Sequence, residues 1–196
     1  MITFETISGL FLDVLQHSSS DSLDDQNAGA YAGELERLIV LSIKANKTLW
    51  ELEDSARMSE LGDAHVANAK RNIDIHNQLR HDLIRQIDAK IVNSMGIVPG
   101  PKDRFYSESP GMIIDRLAII FIKSFVLRTL LKVITETELL EEYKQKEAII
   151  AKQIGDIGGF LDFYFKRLAD KEVFFEVQQA VKIYNDPRLR REFGRG

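Results

Sequence analysis

Ser109-Pro110-Gly111-Met112-Ile113-Ile114-Asp115-Arg116-Leu117, continuing to Ile134, is the stretch that decides the fold. From Leu117 onward apolar side chains fall on every helical face: Ile119, Ile120, Phe121, Ile122, Phe125, Val126, Leu127, Leu130, Leu131 and Val133. A helix that is apolar all round sits inside other helices or inside a membrane. Lys123, Arg128 and Lys132 interrupt this run, and one charge at the centre of a span costs roughly 2.5–3.5 kcal/mol. The stretch therefore reads as the buried central helix of a bundle, covering 109–134, and no membrane span is expected. Ser109 is placed to cap it and Pro110 to occupy its first position.

The totals agree with this. A chain of 196 residues suits one domain with a sizeable core. Only four prolines and twelve glycines punctuate it, and they cluster, which favours a few long helices over many short strands. The expected class is all-α: a single-domain bundle of long antiparallel helices around the central one. A net charge of −4 argues against non-specific nucleic-acid binding. The absence of cysteine excludes disulfides, thiolate metal sites and cysteine nucleophiles. It also fits a cytoplasmic protein, and the first residues show no basic segment leading into an apolar leader.

Before the central helix, Phe4, Ile7, Leu10, Phe11, Val14 and Leu15 repeat at helical spacing, and 18–28 reads as a polar loop. A second helix is expected from Tyr31 to Glu60, with Leu35, Leu38, Leu41, Ala45, Leu49, Leu52 and Ala56 as its core stripe and Ile39, Ile43 and Trp50 beside it. Gly62 breaks it, and Asp63 is expected to cap a third helix running to Asn93, antiparallel to the second. Residues 94–108, with Gly96, Pro99, Gly100 and Pro101, form a long loop. After Ile134 a charged helix follows, in which Gly155, Gly158 and Gly159 predict a kink or a very close helix contact. A turn at 169–171 leads to a last helix marked by Phe174, Val177, Val181 and Tyr184, and 187–196 is a basic tail.

Two helices carry polar residues on the wrong face. Ser42, Asn46, Glu53 and Arg57 fall within the apolar arc of the second, and His76, Asn77 and Arg80 within that of the third. Buried ions need partners, so these groups are expected to meet, Glu53 with Arg80 or Arg57 and the asparagines filling the remaining bonds. The result is either a structural network or a polar pocket open at one end. Arg71, Asp74, Gln78, His81, Arg85 and Asp88 alternate in charge and read as a solvated stripe. The start of the central helix offers a second site, an anion held by Ser109, Gly111 and Arg116, and the inward polar residues of the preceding hairpin are the groups expected to face Ser109, Asp115 and Arg116.

Four ordered motifs extend this reading: Trp50-Glu51-Leu52-Glu53-Asp54-Ser55-Ala56-Arg57; Lys70-Arg71-Asn72-Ile73-Asp74 with Asn77-Gln78-Leu79-Arg80-His81-Asp82-Leu83; Ser109-Pro110 with Ile114-Asp115-Arg116-Leu117; and Tyr184-Asn185-Asp186-Pro187. Together they resemble the bacterial family known as domain of unknown function 4254. The resemblance implies an all-helical bacterial protein associated with envelope polysaccharide synthesis, and it carries no established catalytic residues. It brings Trp50, Asp54 and Asp74 into the candidate set beside Asn46, Glu53, Arg57, Asn77 and Arg80.

Enzyme patterns fit poorly. His81-Asp82 with His65 and Asp115 lacks the spacing of a metal phosphohydrolase. Glu51-Leu52-Glu53-Asp54 offers half of a helical pyrophosphatase motif, without the matching carboxylate pair on a preceding helix. The expectation is a binding or accessory protein with no cofactor and no metal ligand set, taking a small polar ligand, a protein partner or a second copy. The competing expectation is an enzyme on a nucleotide sugar or sugar phosphate, with Glu53 or Asp54 as base or as ligand to a divalent metal and Arg57, Arg80 or Arg116 on phosphate.

Overall fold

A computed structural model of the chain describes residues 2–17 and 33–179. Among these the protein is all-α, with five helices: α1 (Phe4–His17), α2 (Glu34–Ser55), α3 (Asp63–Met95), α4 (Pro110–Leu131) and α5 (Thr137–Ala169). The expected loop at 18–28, Tyr31, and the basic tail at 187–196 lie outside the described residues.

The central position of α4 follows from its composition. It touches each of the other helices, and Ile113, Ile114, Leu117 and Ala118 are fully enclosed. Ser109 caps it, accepting from the Met112 N–H at 3.3 Å, and Pro110 follows in the first turn. The helix stops at Leu131, three residues short of the expected end, and its last turns emerge from the bundle. There Leu130 is half-exposed and Val133, just beyond, is 68% exposed. The apolar character thus outlasts the burial.

α2 packs on α1, α3 and α4 at once. Its enclosed face is accordingly broader than the expected stripe and is centred on Ile39, Val40 and Ile43. It ends at Ser55, not Glu60, and a short 3-10 turn, Ser59–Leu61, leads into α3. The N-cap of α3 is Gly62 and makes no side-chain cap bond; Asp63 is the first helical residue. Its carboxylate still lies at the positive helix end, where negative charge is favoured. α3 and α2 form the expected hairpin.

α5 has no break at its glycines. Gly155 and Gly159 face open space, but a Cβ on Gly158 would come within 2.5 Å of the Phe4 ring. Gly158 is where α1 closes on α5, and the Phe4 N–H donates to Asp162 Oδ1 at 2.7 Å at the same crossing. Of the two outcomes the glycines suggested, the close contact is the one realised.

The expected last helix is absent where it is described. Lys171 turns the chain at φ 56°, and Phe174 then pairs with Phe105 in an isolated parallel bridge. The Tyr106 N–H donates to the Phe174 carbonyl at 2.9 Å, and the Phe174 N–H to the Arg104 carbonyl at 3.0 Å. Val173, Phe174 and Phe175 are all buried. Three consecutive buried residues suit extended chain covered on both sides better than one helix face. Val177 follows in the same non-helical stretch, and Val181 and Tyr184 fall outside the described residues.

Candidate binding site

The inward polar residues of α2 and α3 face the start of α4, as expected, and meet there a carboxylate that no expected pairing named. It is Asp115, in the second turn of α4 and only 5% exposed. Asn46 Nδ2 donates to Asp115 Oδ1 at 2.9 Å and also reaches the Ser42 carbonyl at 3.0 Å. Arg80 Nε stands 3.1 Å from the same Asp115 oxygen. That approach is off the N–H axis, so Nε has no aligned hydrogen bond, and the contact is Coulombic rather than directional. Arg80 Nη1 lies at the 3.5 Å limit from Asn77 Oδ1. The Arg80 side chain keeps 27% of its surface exposed. Its charge is thus anchored from below while part of the side chain remains open to the surface.

The expected pairing of Glu53 with Arg80 is replaced by this arrangement. Glu53, Asp54 and Arg57 are exposed at the end of α2. Arg57 Nη1 donates to Asp54 Oδ1 at 2.8 Å and lies 3.9 Å from Glu53. Helix α2 leaves the core near Trp50, so its last turn faces water. Ser42 stays fully buried, its hydroxyl without a hydrogen-bond partner among the described residues. His76 turns onto its own helix, 2.9 Å from the Asn72 carbonyl.

Above Arg80 opens a cleft of about 260 Å³. It is lined by Asn46, Trp50, Glu53, Asp54, Arg57, Asn77 and Arg80, with Leu49, Ile119 and Ile122 as its apolar wall. Seven of the eight polar-cluster candidates therefore share one opening; Asp74 is exposed and not part of it. The apolar wall from α4 was missed, because Ile119 and Ile122 looked like ordinary core. The cleft offers two guanidiniums, two carboxylates, two amides and one indole face. Such a set can orient a small polar ligand, with arginine gripping an anionic group in fork geometry and the ring covering an apolar face.

The start of α4 is built differently. Asp88, read from the sequence as part of a solvated stripe, is 2% exposed. Ser109 Oγ donates to Asp88 Oδ2 at 2.5 Å, and the Gly111 N–H donates to Asp88 Oδ1 at 2.7 Å. The helix N-terminus already holds an anion, the protein's own carboxylate. Arg116 points elsewhere, to an ion pair with Glu108. The helical wheel failed for Asp88 because α3 is covered by α4 at this turn, on a side exposed higher up. Tyr164 completes the joint, donating to the Glu108 carbonyl at 3.0 Å. Burial chiefly, and then Asp88, pushes its hydroxyl well above the usual range.

Burial also pushes the Asp88 carboxyl up to about 6, against the pull of the Ser109 and Gly111 donors. An acid whose folded pKa exceeds its unfolded value stabilises the fold below the unfolded pKa and loses that contribution as pH rises through the folded one. We expect wild-type stability to fall relative to Asp88→Asn between pH 4 and 7, by at most about 3 kcal/mol. Asparagine keeps an acceptor for Gly111, and Ser109 can turn to accept. Urea midpoints of both proteins across this range provide the check; parallel profiles would mean that Asp88 is an unperturbed carboxylate.

Among the described residues no three His, Asp or Glu side chains come together as a metal-holding group, and no helix is long and apolar enough to cross a membrane. Fold and site together define an all-α bundle protein with an open cleft of mixed charge, floored by an arginine that a buried aspartate holds. The chain belongs to the family described as "Protein of unknown function (DUF4254)", which matches residues 36–177. That span contains the cleft and the Asp88 joint, while α1 lies before it. Comparison with curated proteins and with solved structures gives no match.

Proposed function

We propose that this is a binding protein whose cleft takes a small phosphorylated sugar, acting as an accessory component in glycan synthesis. The observation that carries the reading is Arg80: Asp115 holds it while its partly exposed side chain lines the cleft. A fixed guanidinium binds phosphate without first losing side-chain freedom. Arg57 at the mouth supplies a second cation, Trp50 a flat apolar face, and Asn77 an amide for hydroxyl groups. The glycan setting rests on the family resemblance and makes a hexose phosphate the first ligand to test.

Trp50 is the single tryptophan in the chain and lines the cleft, so intrinsic emission reports its occupancy. Titration with glucose 1-phosphate is expected to change that emission saturably. Arg57→Gln, at an exposed position, should weaken binding about tenfold, the worth of one charge-assisted contact. Unchanged emission at millimolar sugar phosphate, or equal affinity in Arg57→Gln and Asn77→Ala, would reject the reading. Conversion of the sugar phosphate during the titration would replace it with the enzyme alternative, in which Glu53 or Asp54 acts as base.

A further inference from the structure

A second opening lies on the opposite side of α4, where α1 and α5 diverge. It encloses about 500 Å³ over successive turns of α4. Its walls are mostly apolar: Phe4 and Leu12 from α1, Phe121 and Phe125 from α4, and Ile154 from α5. Phe4 and Phe121 meet in a tilted contact, 6.5 Å between ring centroids, and floor one part of it. Arg128 on α4 and Lys132 at its C-cap, one turn apart, line it as well, and among the described residues no acidic one does. In a chain of net charge −4 this is a local excess of positive charge. Arg128 gives its Nε to Glu147 at 3.0 Å, which offsets part of that excess and fixes the guanidinium. Lys132 is exposed on the last turn.

We propose that this groove binds the chain of a single-tailed anionic amphiphile, a fatty acid, with its carboxylate at Arg128 and Lys132. The two features call for two different parts of one molecule. The phenylalanine-rich floor gains by excluding water, and the cation pair selects a negative head over a neutral or positive one. From Phe121 to Lys132 the helix advances roughly 16 Å, the length of an extended chain of about a dozen carbons. The volume falls in the ordinary range for small-molecule sites. A sugar phosphate has no apolar tail to match this floor, so the groove and the cleft call for different ligands.

Isothermal titration of the full chain with sodium dodecanoate below its micelle concentration provides the test. Saturable one-to-one binding is expected, with octanoate at least tenfold weaker and dodecyltrimethylammonium without measurable affinity. Ala151→Trp fills the groove from an exposed position on α5 and should abolish binding. Arg128→Gln combined with Lys132→Gln should weaken it about tenfold or more, and dodecanoate should leave the emission of Trp50 unchanged in the wild type and in this variant, where it is the single tryptophan. The proposal is overturned by absence of binding, by equal affinity for the cationic amphiphile, by indifference to Ala151→Trp, or by displacement with glucose 1-phosphate. A concentration-dependent dimer dissociated by Ala151→Glu, with no dodecanoate binding, would assign the face to a second copy and overturn it too.

Discussion

Gly111→Ala is expected to destabilise the protein by about 3 kcal/mol, at the upper end of what overpacking normally costs. A Cβ there would lie 2.7 Å from the Ile84 carbonyl oxygen and 2.7 Å from Asp88 Oδ1. The first of these belongs to the backbone of α3 and can yield only if the two helices separate. The second accepts the Gly111 N–H, so the same added methyl also disturbs the buried cap. Loss of a helix cap alone costs on the order of 1 kcal/mol. Gly155→Ala is the matched control. It lies inside α5, where an added Cβ meets nothing within 4 Å, and alanine there should gain up to about 1 kcal/mol of helix propensity. Urea denaturation of both variants decides the matter through the opposite signs. A Gly111→Ala protein within about 0.5 kcal/mol of wild type would mean that α3 and α4 do not meet this closely.

The second large effect is expected at the ion pair. Arg80→Ala leaves Asp115 buried with the Asn46 amide and the field of the helix start but no cation. Breaking one side of a buried pair costs about 3–5 kcal/mol, and the partial exposure of Arg80 places the loss near 3. Asp115→Asn removes the charge and keeps an acceptor for Asn46. It should cost about 1 kcal/mol, because the released guanidinium can reach water. Combining the two should restore 1 kcal/mol or more relative to Arg80→Ala alone, since no buried charge is then stranded. A loss below about 0.5 kcal/mol in Arg80→Ala, or no recovery in the double variant, would show that the pair is solvated. The stability cycle is independent of any ligand, so it separates the role of Arg80 in folding from its proposed role on phosphate.

The residues on either side of Arg80 show how far a one-dimensional reading reaches. Asn46, Asn77 and Arg80 were identifiable because polar groups inside an apolar helical arc conflict with their surroundings, and such conflicts mark networks and sites. Glu53 and Arg57 obeyed the same wheel but lie where α2 has left its neighbours; a wheel gives direction around a helix, not how far along it the bundle extends. Asp88 failed in the opposite way. Its neighbours at helical spacing, His81 and Arg85, are polar, and only the crossing of α4 makes its turn an interior. For Asp115 the sequence places the hairpin's polar residues opposite it but not the pairing itself, because its partners lie on two other helices.

The last-helix error is of the same kind. Phe174 and Val177 have a spacing that a helix permits, yet Val173-Phe174-Phe175 is equally an apolar run of extended chain. The pairing of Phe174 with the distant segment at 104–106 settles which form is lower in energy, and no local preference contains that information.

By itself the chain determined its class and its centre. The apolar length of 110–131, the Ser109-Pro110 start and the spaced apolar residues of four further helices leave an all-α bundle as the arrangement that buries them, because burial periodicity is a local property. Only the tertiary structure decided which charges pair: Arg80 with Asp115, and Ser109 and Gly111 with Asp88. It also decided which faces remain open above Arg80 and beside Phe125. Those outcomes depend on where helices distant in sequence cross and where they part.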